Sequence, residues 1–171
     1  MINENINNYI FLPLLFLILF LQITLIPQLF AGSIIPNLLL ILLIAVSFLY
    51  KSSEIFYVSF FCAFILDIFS DVYFGPVIIS ILAAIFVSSY LGHYFLKKIF
   101  SLNLFLISFL GVVVCNVLYF VLINLNNLYA ADLNRLAVVI MFEIIYAAIF
   151  IYPFVYCVRI SIFNFRNKNE N

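Results

Sequence analysis

Two carboxylates and one carboxamide interrupt otherwise apolar sequence, and these are the side chains best equipped for chemistry. Asp67 lies in Phe64-Ile65-Leu66-Asp67-Ile68-Phe69-Ser70-Asp71, close to the end of one apolar run. Glu143 lies some two turns inside another, and Asn116 falls late in a third. An ionisable group at the centre of a bilayer costs about 2.5–3.5 kcal/mol or more, so such residues usually face protein or water. A cluster of Asp67, Asn116 and Glu143 opening toward one face would hold a ligand or a proton. In the plainer reading, each carboxylate is protonated or bonds a neighbouring helix and fixes its register, or it meets a partner protein. The residues taken alone favour the plainer reading.

No other residues assemble into a catalytic set. His93 is the single histidine, with no carboxylate near it in sequence. It is expected as an interfacial ring beside Lys97 and not as a metal ligand or proton relay. There is no Ser/His/Asp arrangement, no phosphate-cradling glycine loop and no basic patch. The expectation is therefore a non-enzymatic chain with no cofactor, no metal and no nucleic-acid partner. Cys62, Cys115 and Cys157 are odd in number and lack metal-like spacing, so they read as small apolar core residues.

The elements that must position these groups are long and apolar. The chain has 171 residues, 68% hydrophobic and only 8% charged, against about 25% charged in a soluble domain. Six stretches approach the roughly 20 apolar residues that cross a bilayer: 9–30, 34–50, 55–70, 77–96, 102–125 and 136–158. The expected fold is all-α, a single integral membrane domain of six transmembrane helices. The first stretch has too long an apolar region for a signal peptide, and no Lys or Arg precedes it, so it reads as a retained span. With six spans, Lys51, Lys97, Lys98, Arg159, Arg166 and Lys168 share one side and Arg135 takes the other. That bias places both termini in the cytoplasm.

Local signals mark the breaks. Pro36 and Pro76 suit first helical turns, a Ser of the Lys51-Ser52-Ser53-Glu54 turn suits an N-cap, and Asp132 or Asn134 suits the start of the sixth helix. Pro153 is expected to kink the sixth span, and the tail from Phe163 to fray. Tyr9, Tyr50, Tyr57, Tyr94 and Tyr129 fall near span ends, as an interfacial belt would. Ser80, Ala84, Ser88 and Gly92 recur every fourth residue and form a small-residue seam for close helix packing, with Ser59, Ala63 and Asp67 as a second seam. The second stretch, mostly Leu and Ile, shows no such face and is expected to meet lipid or an apolar partner.

The segment from Phe20 to Gly92 resembles the bacterial rod shape-determining MreD family. The likeness rests on Phe20-Leu21-Gln22-Ile23, on Ile35-Pro36-Asn37-Leu38-Leu39-Leu40, on Phe64 to Ser70 with its central Asp67, on Phe74-Gly75 and on Tyr90-Leu91-Gly92. The chain departs from the family pattern at Cys62 and Ala63, where a glycine is common before the Asp, and at Asp71, where a glycine commonly follows the Ser. The resemblance implies a non-enzymatic component of the cell-elongation machinery in the bacterial inner membrane, acting in rod-shape maintenance and peptidoglycan synthesis. It also implies membrane lipids and MreC as partners and, through MreC, the elongation transpeptidase and transglycosylase and the MreB filaments. The implied fold is similar to that of the substrate-binding subunits of energy-coupling-factor vitamin transporters. A substrate-capture subunit of such a transporter is the alternative function. A membrane-embedded enzyme is a third reading and lacks a catalytic group set. Pro36, Asp67, Gly75, Asn116 and Glu143 are the candidate structural or partner-contact residues.

Overall fold

The computed structural model describes residues 8–29, 35–49, 53–70, 73–95, 100–125 and 133–169, with side chains described for 13–29, 35–48, 55–70, 73–92, 103–125 and 133–158. Among these residues the chain is all-helical, with six helices and no strand. The helices are α1 (Asn8–Leu29), α2 (Leu38–Leu49), α3 (Ser53–Ile68), α4 (Pro76–Phe95), α5 (Phe100–Leu125) and α6 (Leu133–Asn169).

Five helices close a ring around the sixth. Contacts run α1–α3–α4–α5–α6 and back to α1, while α2 touches all five. Every residue from Leu39 to Val46 is at most 2% exposed. The stretch expected to meet lipid or an apolar partner meets instead the other helices of its own chain. A helix that is apolar all round has no stripe to present because it has neighbours on every side. Hydropathy alone does not separate that case from a lipid-bathed helix.

The two seams lie inside the ring. Ser80, Ala84, Ser88 and Gly92 of α4 are all buried, as are Ser59, Ala63 and Asp67 of α3. A Cβ on Gly92 would sit 3.3 Å from the Phe48 ring of α2. The tightest approach involves Gly111 of α5, where a Cβ would lie 2.6 Å from Ser88 Oγ and 2.7 Å from Ile44 Cδ1. Ser88 and Gly111 together let α4 and α5 close over α2, as small residues do in membrane bundles. The Oγ atoms of Ser59 and Ser88 are buried with no hydrogen-bond partner. Their small volume, and not their polarity, serves the packing.

Three further expectations change. α2 begins at Leu38, so Pro36 precedes the cap instead of sitting in the first turn. The reason is that Asn37 Oδ1 accepts from Leu40 N–H at 3.0 Å and takes the N-cap position. α6 continues to Asn169 through the tail expected to fray, since no Gly or Pro follows Pro153 to stop it. Cys62 and Cys115 are buried, but Cys157 is exposed. The expected roles of His93, of the basic side chains Lys51, Lys97, Lys98, Arg159, Arg166 and Lys168, and of Asp132 lie outside the described residues or side chains.

Two segments, Asn103–Leu125 and Leu133–Val158, are long and apolar enough to cross a membrane; Pro13–Leu29, Leu38–Phe48, Ile55–Ile68 and Pro76–Gly92 are shorter apolar helices. The outside of the ring is as apolar as its core. Phe20, Phe61, Phe69, Phe86 and Met141 are all exposed, and Tyr57 is 76% exposed. Among the described side chains the charged groups are Asp67, Glu143 and Arg135, and the two acids are buried.

Candidate functional site

Polar side chains gather at one end of the bundle, where α1, α3 and α5 finish and α2, α4 and α6 begin. Three constructions lie there, two closed and one open.

The first fastens α1 to the start of α2. Gln22 Nε2 donates to the Pro36 carbonyl at 3.0 Å, and Gln22 Oε1 accepts from Leu38 N–H at 3.0 Å. Leu38 and Leu40 are the first and third residues of α2, whose amides have no partner within the helix. Gln22 serves one and Asn37 the other.

The second fastens α3 to the start of α4. Asp67 is 2% exposed, and its two carboxylate oxygens accept from Gly75 N–H at 2.5 Å and Val77 N–H at 3.0 Å. Pro76 between them has no N–H, so it leaves no orphan at the first helical position. Gly75 has φ of +121°, a backbone conformation that side chains disfavour, which is the local reason for a glycine there. A carboxylate at a helix N-terminus also meets the positive end of the helix dipole. Ser70 Oγ donates to the Asp67 carbonyl at 2.7 Å, and Tyr73 Oη donates to the Leu122 carbonyl of α5. The turn is thereby tied to three helices.

The third construction is open. Asn116 Nδ2 donates to Glu143 Oε2 at 2.6 Å, joining α5 to α6, and also to the Val112 carbonyl at 3.0 Å. Glu143 is 9% exposed. Both residues line a cavity of about 810 Å³ whose walls include Gln22, Asn37, Ser70, Tyr119 and Arg135, with Ile81, Phe120 and Ile123 among the apolar groups. Every helix reaches this cavity with its same-facing end, so the six helices alternate in direction. The cavity exists where α2 is short: Ile35 and Asn37, just before the helix, form part of the wall.

The expected cluster is thus divided. Asn116 and Glu143 meet, whereas Asp67 does not line the cavity and is engaged with backbone amides. Pro36 and Gly75 supply, respectively, an acceptor for Gln22 and a donor for Asp67. Ser59, Ala63, Ala84, Ser88 and Gly92 pack the interior, while Ser80 also borders the cavity.

Gln22, Asn37, Arg135 and Gly111 were not singled out as site residues from sequence. Signals for two of them were present. A lone Gln in an apolar run demands a partner, and an Asn directly before a Leu run is an N-cap signature. Pro27, inside α1, leaves the Ile23 carbonyl without its helical donor at the cavity wall, a third readable signal. Comparison of the chain with protein-family models, curated proteins and solved structures gives no match.

Proposed function

We propose that the chain is a six-span protein of the bacterial cytoplasmic membrane with both termini inside, acting as a non-enzymatic scaffold of the cell-elongation machinery. Its partners in this reading are MreC and, through MreC, the wall-synthesising transpeptidase and transglycosylase and the MreB filaments. The observation that carries the reading is the division of labour in the segment 20–92. The polar residues that make up the resemblance, Gln22, Asn37, Asp67 and Ser70, bond to helix ends within that same segment. The outer faces are left apolar, with Arg135 as the exposed charge among the described side chains. A soluble protein rarely exposes contiguous apolar patches beyond a few hundred Å². Lipid and the apolar faces of other membrane proteins match such a surface.

The alternation of helix direction agrees with six crossings. α1 and α4, of 22 and 20 residues, reach about 30 Å, the thickness of the hydrocarbon core. α2 and α3 are shorter, at about 18 and 24 Å. α2 is sheltered by the ring, and both helices end at the cavity. Irregular backbone is tolerated at membrane depth where protein or a water-filled cavity surrounds it.

The deciding experiment expresses the chain in a rod-shaped bacterium lacking its own MreD and measures cell shape together with crosslinked partners. Restored rods with MreC in the crosslinked product support the scaffold. Round cells, with the chain abundant in the membrane and crosslinked to transporter ATPase subunits, would reverse the assignment. That outcome belongs to the second reading, a substrate-capture subunit, which one observation favours: the large, partly polar cavity.

A further inference from the structure

The cavity contains an imbalance that neither helix fastening nor scaffolding uses. Glu143, nine-tenths buried, has Oε2 held by Asn116, while Oε1 accepts no hydrogen bond from the described residues. Arg135, exposed, lines the same cavity two turns earlier on α6. Among the described residues no ion pair joins the two. The remaining polar lining at the α2 end is already committed, since Gln22 and Asn37 are bonded to the start of that helix. One acceptor on Glu143 and one guanidinium on Arg135 are therefore available, beside an apolar wall that includes Ile81, Phe120 and Ile123. Buried charged groups call for partners, and an apolar wall supplies none.

The spacing constrains the partner. Arg135 and Glu143 are eight residues apart on α6, about 12 Å of rise between their backbones, so a partner with two separated groups serves both better than one small ion. An α-amino acid has both signs but brings no chain to cover the apolar wall. A simple amine would leave its apolar end against Arg135, and an anionic lipid would bring a second negative group toward Glu143. An aminoethyl phosphate on a lipid offers an ammonium to Glu143, a phosphate to Arg135 and a chain to the apolar wall.

We propose that this cavity binds an aminoethyl phosphate group, as in an ethanolamine phospholipid, with its ammonium donating to Glu143 Oε1 and its phosphate accepting from Arg135. The apolar wall then takes the first carbons of the acyl region. A volume of about 810 Å³ exceeds what the headgroup alone needs and lies within the usual range of ligand cavities. The assignment holds for either function proposed above, because it concerns the occupant of the cavity and not the partners of the outer faces.

The test uses the full chain in detergent, with native mass spectrometry and ligand-induced shifts in thermal unfolding. Four probes are compared: a short-chain phosphatidylethanolamine, the matching phosphatidylcholine, the matching phosphatidylglycerol, and soluble phosphoethanolamine. The ethanolamine lipid should bind saturably and about ten-fold or more tightly than the choline lipid, whose quaternary nitrogen has no N–H to donate. Glu143→Gln should abolish the preference for ethanolamine over choline, and the exposed-site variant Arg135→Gln should weaken both by about ten-fold. If Glu143→Gln fails to fold, Arg135→Gln and the probe ranking still decide the matter. Binding of the lipid but not of soluble phosphoethanolamine assigns the apolar wall to the acyl region. Equal binding of the two supports the headgroup chemistry and identifies a free headgroup as sufficient. Indifference to headgroup, or binding unchanged by both substitutions, overturns the proposal.

Discussion

Asp67 and Glu143 are both buried carboxylates, both near the same end of one bundle, and their surroundings differ in kind. Asp67 uses its two oxygens on two backbone amides of a turn that begins another helix. Glu143 has one carboxamide donor, on Oε2, and lines a cavity. The first arrangement is closed: neither oxygen is left for a visitor, and both amides lose their acceptor if the carboxylate goes. The second is open, and its removal strands little beyond Asn116. Burial, the property the two share, says nothing about which is structural. The inventory of donors around each does.

The largest effect expected from this contrast is at Asp67. Asp67→Leu leaves the amides of Gly75 and Val77 without their acceptor and should lower stability by roughly 2–4 kcal/mol. Asp67→Asn keeps one acceptor but turns the other oxygen into an amide that faces an N–H, so it should fall between wild type and Leu. Thermal unfolding in detergent, together with membrane levels in cells, measures both. If Leu proves as stable as wild type, Asp67 is not a fastener and the contrast collapses. If Asn is as damaging to cell shape as Leu while the protein accumulates normally, the charge itself is needed. The proton-linked or transport reading would then gain ground.

Substitutions at Gly111 separate packing from bonding. Gly111→Ala places a Cβ 2.6 Å from Ser88 Oγ and 2.7 Å from Ile44 Cδ1, where α4, α5 and α2 meet. Overpacking should cost about 1–3 kcal/mol. Ser88→Ala in the same chain should recover part of the loss, since it removes the nearer atom, and Ile44 accounts for what remains. Absence of any recovery would mean that α4 and α5 approach through other residues.

Gln22 should behave as a weaker Asp67. Gln22→Leu removes both bonds to the start of α2, but these are between neutral groups and Asn37 still caps the helix. A loss of about 1–2 kcal/mol is expected. Gln22→Glu keeps the acceptor for Leu38 and loses the donor to Pro36, so it tests the two bonds separately. A larger loss than at Asp67 would reverse the ranking of the two fasteners.

Much of this architecture is legible in the chain, for identifiable reasons. Apolar runs bounded by Pro36 and by Pro76 locate the helices that follow them, because these breaks are local chemistry. The every-fourth-residue seam from Ser80 to Gly92 marks a packed face because helical periodicity carries that information. The central place of α2 is not legible, since an all-apolar helix reads alike against lipid and against protein. Nor is the division of the polar cluster. In sequence Asp67, Asn116 and Glu143 read as lying at comparable depth, and that does not tell which oxygen meets which amide. The Asp67 bonds depend on Gly75, which adopts positive φ and turns its amide to the carboxylate. The cavity depends on α2 starting at Leu38, which in turn depends on Asn37 taking the cap.

The smallest effect is the most discriminating one. Replacing a buried polar pair with well-packed apolar residues of similar volume is often neutral or stabilising. The paired substitution Asn116→Leu with Glu143→Leu should therefore change stability by no more than about 1 kcal/mol, in either direction, although Glu143 is buried much as Asp67 is. The single change Asn116→Leu should cost more than the pair, because it leaves Glu143 Oε2 without its donor. A double-mutant cycle measured by thermal unfolding gives all three values. If the paired change is as destructive as Asp67→Leu, then Asn116 and Glu143 are a third fastener and the cavity is a by-product of packing. If it is harmless to folding, the carboxylate contributes little to the bundle, and its presence in the cavity wall needs a cause outside the fold.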